Sequence, residues 1–173
     1  LIPICYPDYK SVENDDVRKS FEDLWGTELD PKKGLTVVEI VDAIHDDVIK
    51  AMFVEGENPA MSDPDQTHAR QALAKLDHLV VQDIFLTETA WHADVVLPAS
   101  AHAEKVGTFS NTNRQVQMVR QCVPMPGDAR HDWWIIAEIG KRLGLEWNYE
   151  GPADVFAEMK LAMPSLDNIT WER

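Results

Sequence analysis

Leu79-Val80-Val81, halted by Gln82-Asp83, is the stretch on which the fold turns. It is apolar and too short for a helix, so it reads as a buried strand. Two other runs have the same form. Ile49-Lys50-Ala51-Met52-Phe53-Val54 ends in Glu55-Gly56-Glu57-Asn58-Pro59, and Val95-Val96-Leu97 stops at Pro98. Between the first two, Asp63-Pro64 opens a helix with proline at its first position, carrying Ala69, Ala72, Leu73 and Leu76 on one side. A shorter helical stretch around Thr87 to His92 separates the second run from the third. Strands linked by helical crossovers are expected to run parallel, in a sheet covered on both faces. The expected fold class is therefore α/β, a three-layer Rossmann-like domain with a mainly parallel sheet.

Outward from that core, the chain begins with a polar stretch to about Lys33, in which Tyr6-Pro7-Asp8-Tyr9 reads as a loop. Val17, Phe21, Leu24 and Trp25 then recur at helical spacing, closed by Gly26 and Pro31-Lys32-Lys33-Gly34. A second helix is expected over Thr36 to His45: Thr36 can cap, Glu39 sits three residues on, and Val37, Ile40, Val41 and Ile44 form one face. Beyond the third strand, Gly107 to Gln117 reads as two strand-like pieces around an Asn-rich turn, a hairpin or an extended loop. A helix over Asp132–Leu143 ends at Gly144, and a last one runs from about Pro152 to Met163. One domain is expected over residues 1–173: a helical lead-in (1–47), an α/β core (48–145) and a C-terminal helical segment (146–173). The chain does not start with Met, and it is expected to begin inside a longer polypeptide.

The formal charge is −14, from 30 acidic and 16 basic residues. A field of that sign repels nucleic acid and anionic membranes, so no nucleic-acid partner is expected. An anionic ligand would have to be held by local donors such as backbone N–H groups at a turn or helix start. No apolar run is long enough for a membrane span, and the N-terminus lacks the form of an export signal. Cys5 and Cys122 are the only cysteines and form no C-x-x-C pair, which excludes a four-cysteine metal or iron–sulfur site within the chain. A reducing compartment, the cytoplasm, is the simpler expectation.

In an open parallel sheet, ligands sit beyond the carboxyl ends of the strands. Gly56-Glu57-Asn58-Pro59, Gln82-Asp83 and Pro98-Ala99-Ser100 meet there. Gly56 lets the chain turn closely against a ligand, and Ser62 offers a hydroxyl near the next helix start. That chemistry suits a pyrophosphate or ribose, although strand-to-helix turns collect the same residues for local reasons. Asp83 can accept from a ribose or cap the following helical stretch. Asp132 is either a cap or first-turn acid of its helix, or a carboxylate for guanine, whose N1–H and N2–H₂ are adjacent donors. The six histidines share no metal-ligand spacing. No G-x-S-x-G elbow, H-E-x-x-H or Walker loop appears, so a binding surface without a catalytic set is expected.

Taken in order, these segments resemble the molybdopterin oxidoreductase family. The likeness runs through Gly56-Glu57-Asn58-Pro59, Val80-Val81-Gln82-Asp83-Ile84-Phe85-Leu86-Thr87-Glu88-Thr89-Ala90 and Ala93-Asp94-Val95-Val96-Leu97-Pro98-Ala99. It continues through Glu104-Lys105-Val106-Gly107-Thr108 and Asn111-Thr112-Asn113-Arg114-Gln115-Val116-Gln117. It is strongest to formate dehydrogenase alpha (large) subunits, especially those of NAD-linked enzymes. The resemblance implies one of two Rossmann-like halves enclosing a bis(molybdopterin guanine dinucleotide) cofactor with molybdenum. It places Gly56, Glu57, Asn58 and Ser62 on the first cofactor loop, Gln82 and Asp83 on the second strand end, and Asp132 on an acid that recognises guanine. Some relatives carry Asp in place of Asn58, whose amide can both accept and donate. The family's iron–sulfur cysteines, its molybdenum ligand with neighbouring His and Arg, and its C-terminal β-rich domain have no match in these residues. The implied parent oxidises formate to carbon dioxide, its partners being the remaining domains of the same large subunit and other formate dehydrogenase subunits. The isolated piece is expected to be inactive.

Two other readings belong to different classes. Asp83-Ile84-Phe85-Leu86 superficially resembles the phospho-acceptor segment of a stand-alone receiver-like signalling module. Such a module also needs an acidic pair after its first strand and a Lys after its last. Glu55 and Glu57 straddle Gly56, and Pro98-Ala99-Ser100 is not followed by that Lys. A subunit-docking domain is the third reading.

Overall fold

The computed structural model of the chain describes residues 3–172. In chain order its elements are β1 (Cys5–Tyr6), β2 (Lys10–Ser11), α1 (Asp15–Trp25), α2 (Val37–His45), β3 (Ala51–Glu55), α3 (Pro59–Ser62) and α4 (Gln66–Lys75). They are followed by β4 (His78–Asp83), β5 (Val95–Pro98), β6 (Gly107–Ser110), β7 (Val116–Val119), α5 (Asp132–Arg142) and α6 (Pro152–Ala162). Val37–Pro152 forms one compact unit, and the segments on either side of it form a second.

In the second unit, Asn14 caps α1 by accepting from the Val17 N–H at 3.1 Å, and Gly26 ends it at φ 65°. Phe21 is buried between Tyr6 and Trp25, with ring centroids 4.8 and 4.9 Å away. The stretch read as a loop, Tyr6–Tyr9, is the turn of a small hairpin in which Cys5 pairs with Ser11 and Tyr6 with Lys10. Two-residue strands are too short to show an alternating pattern, so the sequence carried no signal for them.

The larger unit is mixed α/β. Its three-stranded parallel sheet has the order β3-β4-β5, with Glu55 opposite Gln82, and Asp83 opposite Pro98. All three expected strands are present and parallel. The central strand supplies the core: Leu79 and Val81 pack with Val54, Ala60, Leu73 and Ala90. The Leu and Val side chains among them each contribute about 1.5–3 kcal/mol when fully buried.

One helix start differs from the reading. Pro64 does not open α4; Asp65 caps it from a left-handed conformation (φ 47°), accepting from the His68 N–H at 3.2 Å. Asp63 and Pro64 instead connect it to α3, a single turn begun by Pro59. Beyond β5, residues 107–119 form the antiparallel hairpin β6–β7. The chain then returns to the sheet. Arg130 N–H donates to the Pro98 carbonyl and Ser100 N–H to the Arg130 carbonyl, both at 3.0 Å, making a parallel bridge of Ala99 with Arg130. That bridge delivers the start of α5 to the carboxyl end of the strands. Gly140 of α5 lies flat against Trp147, where a Cβ would collide with the indole ring.

Candidate functional site

Strand register places Glu55 and Gln82 side by side at the carboxyl edge of the sheet, and the Ala99–Arg130 bridge sets Asp132 beside them. The Gln82 side chain is fully buried, and its Nε2 donates to Glu55 Oε1 at 3.2 Å and to Asp132 Oδ1 at 3.0 Å. The other Asp132 oxygen, Oδ2, is ion-paired with Lys105 Nζ, which also donates to the Ser100 carbonyl at 2.8 Å. Gln82, Ser100, Lys105 and Asp132 border a cavity of about 400 Å³, lined also by Gly56, Asp83, Ile84, Phe85, His102 and Phe109.

Glu55 has its pKa raised above the ordinary carboxylate range. Burial is the largest cause and the Asp132 charge the next, with the Gln82 hydrogen bond and Lys105 pulling the other way. The Asp132 carboxylate keeps a spare lone pair on each oxygen after bonding Gln82 and Lys105, because a carboxylate oxygen accepts twice. Two adjacent N–H donors on a ligand fit that arrangement.

Gly56, Gln82, Asp83 and Asp132 therefore come to one place. Gly56 turns at φ 63° over open space, its N–H donating to the Gln82 carbonyl at 2.9 Å. Asp83 Oδ1 accepts from the Phe85 N–H at 3.1 Å, closing a local turn. The helical stretch Ala90–His92 has Thr89 at its N-cap, and its first N–H, that of Ala90, donates to Thr87 Oγ1 at 3.2 Å. Asp132 is the first residue of α5 and His131 the N-cap, so the carboxylate is a first-turn acid rather than a cap.

Glu57, Asn58 and Ser62 do not line this cavity. Asn58 Oδ1 accepts from the Thr89 N–H (3.1 Å) and Oγ1 (2.7 Å), while its Nδ2 donates to Glu88 Oε2 at 2.7 Å. The amide uses both of its capacities, to tie the first loop to the segment before β5. Ser62 Oγ donates back to the Asn58 carbonyl at 3.1 Å, and Glu57 is exposed.

Lys105 is the residue that the sequence reading missed. An anion was expected to rely on backbone amides here, yet the chain supplies its own cation. One signal was available: Lys105 is the only Lys or Arg between Lys75 and Arg114. Glu55 was likewise visible only as half of an acidic pair that failed to form. Among the described residues no group of His, Cys, Asp and Glu suits a metal ion, and Cys5 and Cys122 are both free. No described helix is long and apolar enough to cross a membrane.

The sequence model of the family described as molybdopterin oxidoreductase matches residues 14–142, about three quarters of the chain. The chain belongs to the molybdopterin oxidoreductase family. Among curated relatives it is 48% identical, over 99% of its own length, to an F420-dependent formate dehydrogenase subunit alpha from Methanocaldococcus jannaschii. It is 44% identical, over the same share, to the candidate formate dehydrogenase YrhE of Bacillus subtilis. It spans only 25% and 17% of those two proteins, so it corresponds to a small part of the formate dehydrogenase alpha-like relatives. Acetylene hydratase from Pelobacter acetylenicus shares the fold, with a TM-score of 0.63 over 90% of this chain and 22% of its own, at 24% identity. Family membership displaces the receiver-like reading of Asp83.

Proposed function

We propose that this segment grips the guanosine diphosphate end of a bis(molybdopterin guanine dinucleotide) cofactor in a molybdenum-dependent formate dehydrogenase. The observation that carries the reading is the Asp132 carboxylate at the sheet edge, held by Gln82 and Lys105 and bordering an open cavity. Its spare lone pairs suit the paired donors of guanine, and Lys105 suits a phosphate. Gly56 and Asp83 line the same cavity and would approach the ribose or pyrophosphate. Glu57, Asn58 and Ser62 support the reading through the loop they build. When bound, the molybdenum of this cofactor supplies the two-electron acceptor for formate.

Oxidation of formate to carbon dioxide would belong to the complete parent enzyme. Its molybdenum ligand and iron–sulfur clusters would be carried by the remaining domains of the same large subunit, in association with other formate dehydrogenase subunits. NAD is the acceptor assigned on resemblance, and the F420-dependent relative marks the alternative. The parent is read as cytoplasmic. Residues 1–173 would form part of a three-layer Rossmann-like domain completed by other segments. Phe53, Val95 and Val96 of the sheet are 37–45% exposed in this chain and would be covered there.

The test is guanine nucleotide and molybdenum content of the purified parent enzyme carrying Asp132→Ala. We expect cofactor retention to fall by roughly 1–3 kcal/mol, as guanine donors lose their acceptor. Undiminished content would refute the assignment. The isolated 173-residue chain should show no formate-dependent dye reduction, and reduction above a buffer control would overturn that expectation.

A further inference from the structure

The Gln82 amide is oriented against its own interest. Its Nε2 lies between two carboxylates, Glu55 Oε1 at 3.2 Å and Asp132 Oδ1 at 3.0 Å. Its Oε1 is buried with no partner among the described residues. An unsatisfied buried carbonyl is normally relieved by turning the amide over. Here that turn would set the carbonyl against both acids, so the pair of charge-assisted bonds to the NH₂ group decides the orientation. The amide therefore couples β3 to the first residue of α5, fifty positions further along the chain than Gln82.

We propose that Glu55 is a positioning residue for the nucleotide-binding carboxylate: by accepting from Gln82 it fixes the amide that holds Asp132. This rests on the reading of Asp132 as the guanine acceptor. An ionised Glu55 accepts, and the amide stays with its NH₂ toward Asp132. A protonated Glu55 donates, and the rotation that lets Gln82 Oε1 receive that proton turns the carbonyl toward Asp132 and breaks the link. Burial and the Asp132 charge raise the Glu55 pKa, moving this exchange toward neutral pH. The charged groups facing Glu55 are Asp132 on α5 and Lys105 from the loop before β6, with Asp83 and His102 lining the cavity beside those two. His131, next to Asp132, has Nδ1 3.4 Å from Ser100 Oγ.

The experiment measures guanosine diphosphate affinity of the full-length parent enzyme, produced free of its own cofactor, between pH 5 and pH 8. The unaltered enzyme is compared with Glu55→Gln and Asp132→Ala. Taking the ratio of unaltered to variant affinity at each pH cancels the titration of the phosphate and of the shared histidines. We expect Glu55→Gln to bind about tenfold more weakly at pH 8, the size of one charge-assisted hydrogen bond. The ratio should shrink toward one as pH falls, because the unaltered enzyme then gains a proton on Glu55, whose pKa is raised. Equal or tighter binding by Glu55→Gln, with Asp132→Ala weakened, overturns the positioning role and leaves the guanine reading standing. A tenfold deficit independent of pH also overturns it, since the charge would not be the agent. Unweakened binding by Asp132→Ala overturns both.

Discussion

The turn after β3 has two halves that use polar side chains in opposite ways. On one side, Asn58 spends its whole amide on Thr89 and Glu88, and Ser62 on the Asn58 carbonyl. On the other, Glu55, Gln82, Asp132 and Lys105 share bonds among themselves, and the last three border the cavity. The first half is a clamp with a buried end, since Thr89 is fully enclosed. The second is a charged cluster with an open side. A clamp should register in folding stability and a charged rim in ligand affinity, although both stem from the same short stretch of sequence.

Substitutions can break or sharpen this contrast. The largest stability effect is expected from Thr89→Val. The hydroxyl donates to Asn58 Oδ1, which keeps its bond from the Thr89 N–H, and accepts from the Ala60 N–H at 3.0 Å, so its loss strands the Ala60 N–H. Urea unfolding should show a loss of about 1–3 kcal/mol for that group left buried and unpaired. Asn58→Ala should cost a similar amount through Thr89, and a double mutant less than the sum, because both remove one contact. Gly56→Ala comes next at roughly 1–2 kcal/mol, since φ 63° is strained for a residue with a Cβ even where space is open. Asp132→Ala should change unfolding by under about 1 kcal/mol, as a partly exposed ion pair contributes little. Equal stability losses from Asp132→Ala and Thr89→Val would erase the distinction between rim and clamp.

The smallest effect concerns pH. Burial, then the Glu57 charge, raise the Asp63 pKa above its ordinary value. A carboxyl whose folded pKa exceeds its unfolded value binds its proton more tightly when folded, so this group favours the folded state more as pH falls through that window. Asp63→Asn should therefore be neutral to slightly stabilising at pH 7 and remove that increment near pH 4. A clear loss of stability at pH 7 would show that the charge of Asp63 is used in the fold.

Legibility in the sequence followed the range of the interaction. Leu79–Val81 and Val95–Leu97 were readable as strands because each is an unbroken apolar run too short for a helix. Helices α1, α2 and α5 were readable because one apolar face repeats every three or four residues. The start of α4 was misplaced because Pro64 and Asp65 both suit a helix start, and only the left-handed backbone at Asp65 makes it the cap. Asp132 was visible as a residue of interest, but the choice between cap and ligand group was not, because a cap is local and its partners are distant.

The sequence by itself determined three parallel strands, their helical crossovers, the family and a glycine turn at one sheet edge. Each follows from periodicity, turn chemistry or ordered motifs within a few residues. The tertiary structure decided that Gln82 bridges Glu55 and Asp132, that Lys105 pairs with Asp132, and that Asn58 is occupied by Thr89. Those contacts join residues 27 to 50 positions apart in the chain, and they depend on strand register and on the bridge of Ala99 with Arg130. Register is set by packing summed over whole strands, so no short stretch of sequence contains it.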